Sequence, residues 1–156
     1  MYIEYNMSDI ITIENISSYI QEVIGDTLIL KPKNKIISEE ELTMTSLTKS
    51  EITYCTIVDS ANKSISKKKQ YQPILTDIWK SMPTQKILQN TTFNFKLSNE
   101  NGEKGYNWNE KLNMSYQSKD ANGSMREIIH MCKLINYKLD IFIKLENDKN
   151  INFKIE

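Results

Sequence analysis

The chain has 156 residues, no net charge (20 Lys plus Arg against 20 Asp plus Glu), 39% hydrophobic and 26% charged residues, which suits one globular domain and not a disordered chain. Neutrality argues against a strongly basic nucleic-acid binder or a polybasic membrane protein. The two cysteines, Cys55 and Cys132, are too few for a disulfide framework and read as small buried hydrophobes. Nineteen Lys stand against a single Arg, Arg126, so bidentate recognition of phosphate or carboxylate, which is guanidinium chemistry, is poorly served. Ile (23), Lys (19) and Asn (16) dominate, and their AT-rich codons predict an AT-rich genome, such as that of a large virus, a protist or a low-GC bacterium.

The first 15 residues, MYIEYNMSDIITIEN, carry early acids and lack a basic start followed by an apolar run, so a signal peptide is not expected. No apolar run reaches membrane-spanning length. The expectation is an intracellular, cytoplasmic protein (in the host cytoplasm if viral) with no membrane partner. On that reading the sequons at Asn6, Asn15, Asn62, Asn90, Asn113 and Asn122 are a by-product of composition.

Ser18–Val23 and Thr27–Pro32 flank Ile24-Gly25-Asp26 and predict a hairpin, although Ile13, Ile16, Ile20, Val23 and Ile24 also fit a helical stripe closed by Gly25. Ser38 and Glu41 form a capping box that opens a short helix. Ile52–Val58, apolar on both faces, predicts a central strand. The stretch 60–70, SANKSISKKKQ, is the most linker-like. One domain is expected, divisible into a β-rich lobe, 1–66, and a second lobe, 70–156, that share a core.

In the second lobe Pro73 reads as the first residue of a helix whose apolar face is Ile74, Leu75, Ile78, Trp79 and Met82. Pro83 ends it, and a short turn of helix over 84–89 follows. Period-two alternation then predicts four strands, near 91–98, 106–117, 138–145 and 150–156, joined by turns at 99–103 and 147–150. A helix over 125–136, opened by a second capping box at Ser124 and Glu127, separates the second strand from the third. The expected fold is α+β: a β-rich N-terminal lobe (hairpin plus central strand), then a ββαββ lobe with one antiparallel sheet covered on one face by helices.

Residues that carry chemistry are sparse. A zinc site has only Cys55, Cys132 and His130 to draw on, without ligand spacing. The four glycines make no phosphate loop, and no nucleophile elbow occurs. No catalytic residue, metal ligand or cofactor is therefore assigned. Three surfaces remain. The open sheet face is expected to carry Lys111, Asn113 and Lys144 around Phe142, an aromatic ringed by polar groups. Arg126, His130 and Lys133 fall in line at helical spacing, either as an anion- or partner-binding stripe or as a solvated helix face. Lys63, Lys67, Lys68 and Lys69 form the basic cluster. The leading expectation is a non-enzymatic protein-binding or assembly module, with a protein partner or a homo-oligomer. The rivals are weak nucleic-acid binding through the lysine loop and an enzyme of unrecognised type.

Overall fold

A computed structural model describes residues 3–6, 19–24, 27–32, 35–99 and 104–156. In chain order the elements are β1 (Ile3–Asn6), β2 (Tyr19–Ile24), β3 (Thr27–Pro32), β4 (Lys35–Ile36), α1 (Glu39–Thr43), β5 (Glu51–Val58), β6 (Ser64–Ser66), α2 (Tyr71–Lys80), α3 (Thr84–Asn90), β7 (Phe95–Lys96), β8 (Tyr106–Asn109), β9 (Met114–Gln117), α4 (Ala121–Leu134), β10 (Lys138–Lys144) and β11 (Asn150–Ile155). Helices stand beside antiparallel strands, so the fold class is α+β.

The chain forms two compact units, Met1–Lys35 and Ile36–Glu156. The first holds a three-stranded antiparallel sheet in the order β1-β3-β2, with Ile24 opposite Thr27 at the end of the β2–β3 pair. Residues 19–24 are thus a strand; the earlier part of the alternative helical stripe, and Gly25-Asp26, lie outside the described residues, as does most of the 99–103 turn. The division at 35/36 differs from the one expected near 60–70, because β5 and β6 belong to the same sheet as β10 and β11.

In the second unit β10 lies between β5 and β11 in a five-stranded sheet of order β4-β11-β10-β5-β6. Ile141 is paired with Cys55 on one side and Phe153 on the other, and Leu139 with Ile57 and Ile155. These residues line one face, where α2 and α4 pack; Leu139, Ile141, Ile143, Cys55, Ile57, Ile151 and Phe153 are all buried there. Helix α2 supplies Ile74, Leu75, Ile78 and Trp79, and α4 supplies Met125, Ile128, Ile129 and Cys132, which are the stripes that the helical period predicts.

The expectation of one sheet holding all four C-terminal strands is corrected. The stretch 106–117 is a hairpin of β8 and β9, and with β7 it forms a separate sheet in the order β7-β9-β8. The chain reverses because the Asn109 side chain accepts from Leu112 N at 3.1 Å, Asn113 N donates to Glu110 O at 3.2 Å, and Asn113 takes a left-handed φ of 50°. Asn tolerates that conformation better than most residues. Hydrophobic alternation continues through the turn, and so disguises it.

Two helix starts also differ. Helix α4 begins at Ala121, capped by Asp120, whose carboxylate accepts from Gly123 N at 2.6 Å. Glu127 caps nothing. It is fully buried and accepts from Thr91 Oγ1 (2.5 Å), Thr92 Oγ1 (2.6 Å) and Thr92 N (3.1 Å), which ties the segment after α3 to α4. Pro73 is the third residue of α2, still in the first turn, where a missing N–H costs no helical bond. The Ser38 cap forms as expected, accepting from Glu41 N at 3.2 Å.

Trp79 joins the two sheets of this unit. It is fully buried, with ring centroids 5.0 Å from Tyr116 and 5.5 Å from both Phe93 and Phe95, all near edge-to-face. Its Nε1 has no hydrogen-bond partner, so its packing is what holds it. Trp79→Ala should cost about 3–5 kcal/mol, whereas Leu97→Ala, at a residue 78% exposed, should change stability by less than about 0.5 kcal/mol. Urea denaturation of both variants checks this, and equal losses would count against the central place given to Trp79.

Candidate protein-contact face

The side chains of β10 alternate without interruption. Leu139, Ile141 and Ile143 enter the core, which sends Lys138, Asp140, Phe142 and Lys144 to the other side of the sheet. The register sets them in rows: Glu51, Lys144 and Asn150; then Tyr54, Phe142 and Asn152; then Thr56, Asp140 and Lys154; then Val58 and Lys138.

Tyr54 reaches this face by regular alternation with buried Cys55 and Ile57, and an irregularity beside it turns Ile52 inward. Phe142 is opposite Tyr54 but Ile143 is opposite Ile52, so Thr53 is an extra residue in β5, a β-bulge. Without it, Ile52 and Tyr54 would share a face. With it, Ile52 is buried and Tyr54 is 44% exposed, its ring 5.2 Å from that of Phe142 and tilted by 43°. Around this pair, buried Asn152 donates from Nδ2 to Asp140 Oδ1 at 2.8 Å and to Ile141 O at 2.9 Å, which fixes the Asp140 carboxylate in its row. A shallow groove of about 310 Å³ runs beside Thr56, Val58, Lys138, Asp140, Lys154 and Glu156.

The other expected site residues fall elsewhere. Lys111 and Asn113 belong to the β8–β9 turn, not to the face with Phe142 and Lys144. Lys111 Nζ donates to Trp79 O at 2.6 Å, Lys80 O at 2.7 Å and Met82 O, capping the C-terminus of α2 with a positive charge. Burial lowers the pKa of this ammonium from its ordinary value. Arg126, His130 and Lys133 are exposed on α4, which packs against the core side of the five-stranded sheet, so this stripe and Phe142 are on opposite sides. Two of the three are engaged within the unit: His130 Nε2 lies 2.9 Å from Asn90 O, and Lys133 pairs with Glu39.

The lysine cluster is divided as well. Lys68 Nζ lies 3.5 Å from Asp77, which also accepts from Ser66 Oγ at 2.8 Å. Lys69 shares a depression with Glu51 and Tyr71. Lys63 donates its backbone N–H to Asp59 in an exposed turn, and Lys67 is exposed. Carboxylates therefore dilute the positive field that phosphates would meet.

Among the described residues no group of three or more His, Cys, Asp or Glu is placed to hold a metal ion, and no helix is long and apolar enough to cross a membrane. Burial pushes the Cys55 thiol up to about 12, with the negative charge of Asp140 adding to the rise. Burial likewise pushes Cys132 up to about 12, with Cys55 adding. Both are far from the depressed range of nucleophilic thiols. Compared with known proteins, the chain matches no family model, no curated protein and no solved structure.

The raised thiols make stability depend on pH in one direction. An unfolded thiol loses its proton above about pH 8.5 while the folded thiol keeps it, so the unfolded state binds fewer protons and stability falls as pH rises. The stability tied to each thiol is fully present below about pH 8.5 and is lost towards pH 12, by up to about 1.4 kcal/mol per pH unit. Urea unfolding at about pH 8 to 10.5 should show a shallower decline in Cys132→Ala than in the unaltered protein; parallel declines would contradict the burial account.

Proposed function

We propose that this chain is a non-enzymatic protein-contact module that works through the outer face of the β5-β10-β11 sheet. The observation that carries this reading is the Tyr54–Phe142 pair, an aromatic patch laid on the side of the sheet away from its core and ringed by Lys138, Asp140, Lys144 and Lys154. An exposed Tyr54 on a half-buried Phe142, surrounded by polar groups, has the form of an interface anchor: the rings lose water on contact and the rim supplies orientation. The two thiols are held protonated, which counts against cysteine nucleophiles. Nucleic-acid binding through Lys63 and Lys67–Lys69 has less behind it, given the Asp77 and Glu51 carboxylates beside Lys68 and Lys69.

Phe142→Asp should leave the far-UV circular dichroism unchanged and lower recovery of the bound protein about tenfold or more in affinity purification from the native source, and Tyr54→Asp should act in the same way. Arg126→Asp, on the opposite side of the unit, should leave recovery intact. Undiminished recovery with a folded Phe142→Asp would overturn the proposal, as would unfolding by both face substitutions.

A further inference from the structure

Charges on the contact face are not uniform in sign. Along β10 they run Lys138, Asp140, Phe142, Lys144, so opposite charges stand one row either side of the aromatic row. A surface of this kind can complement itself. We propose that the occupant of the face is a second copy of this chain, packed sheet to sheet about a two-fold axis that crosses the strands through the Tyr54–Phe142 row; this inference rests on the contact-face reading.

The charge pattern selects the axis. Two faces that pack on each other are related by a two-fold lying in the plane between them, and such an interface places the same patch on both sides. If the axis ran along β10, Lys144 would face Lys144, Asp140 would face Asp140 and Lys138 would face Lys138, and every like pair would repel. If the axis runs across the strands, the rows before and after the aromatic pair exchange. Lys144 of each copy then faces Asp140 of the other, twice by symmetry, while the four rings meet at the centre. Glu51 meets the neutral Thr56, and Lys154 meets the neutral Asn150, so no like charges are opposed.

Both partners of the key pair can respond. Asp140 gives Oδ1 to Asn152, which leaves Oδ2 to accept a further bond. Lys144 is 3.4 Å from Asp148, whose side chain is 83% exposed, and a pair so exposed is readily exchanged for a better-shielded one. The contact is small: three strands about 4.8 Å apart and seven residues rising about 3.3 Å each give a footprint of roughly 300 Å² per copy. At about 600 Å² for the two copies together this is below the range of stable specific interfaces, so the association is weak and reversible.

Sedimentation velocity over a concentration series from about 10 μM to 1 mM tests it, because a small interface is populated only in that range. The unaltered protein should shift from monomer to dimer, and Lys144→Glu should weaken dimerisation about tenfold or more. Lys154→Glu, which faces Asn150 across the same axis, should change it less than about threefold. Lys144→Glu and Asp140→Lys should each stay monomeric alone and dimerise when mixed, since only the mixed pair restores both contacts. Monomer throughout the series for the unaltered protein overturns the inference, as does equal weakening by Lys144→Glu and Lys154→Glu. Should Asp140→Lys lose its far-UV signal, the first two variants still decide. A monomer that captures a different protein through Phe142 would remove the second copy and keep the contact face.

Discussion

The period-two alternation of β10 is the constraint on which both sides of the second unit depend. Because the strand is flanked by β5 and β11, its inward residues are paired in both directions and its outward residues stand at the centre of a three-strand surface. A register slip of one residue would put Lys138, Asp140 and Lys144 into the core and Leu139, Ile141 and Ile143 outside, a change far beyond what a marginally stable domain tolerates. Burying the core thus decides which residues form the outer face. The same choice that fills the space under α2 and α4 leaves an aromatic between two charges of opposite sign on the outside.

The helices and the smaller sheet are held to that frame by a few specific ties. Trp79 brings α2 against Phe93, Phe95 and Tyr116. Lys111 reaches from the β8–β9 turn to the Trp79 and Lys80 carbonyls at the C-terminal end of α2. Glu127 gathers three donors from Thr91 and Thr92, and Asn122 bonds Leu47 N and Thr45 O, holding the loop after α1 against α4. Each tie uses a polar group that would otherwise be costly to bury or to leave unpaired at a helix end. Lys111 and Glu127, which looked like a surface cation and a helix cap, are better understood in this way.

Much of the architecture was legible in the chain. The stripes of α2 and α4 follow from apolar spacing, and Leu139, Ile141 and Ile143 announce β10 by alternation. What escaped was set by single residues acting against a regular pattern. Thr53 inserts one position into β5, so Ile52 turns into the core although Tyr54, two positions on, faces outward. Asn109 and Asn113 turn the chain where alternation runs on unbroken. Of the candidate face, Phe142 and Lys144 were visible from sequence, while Tyr54 and Asp140 needed the register, and Lys111 and Asn113 were grouped with them only because strand parity does not say which sheet a strand joins. Two asparagines at that spacing were the signal available for the turn.

The central claim is that the Tyr54–Phe142 patch is covered by protein in the working state. Site-specific photo-cross-linking tests it most directly, with benzoylphenylalanine placed at Tyr54 and, as a control, at Met44, the residue that caps the end of α1 and is 88% exposed. The account predicts a discrete cross-linked species from position 54 and none from position 44. Equal cross-linking from both positions, or none from position 54, would contradict it.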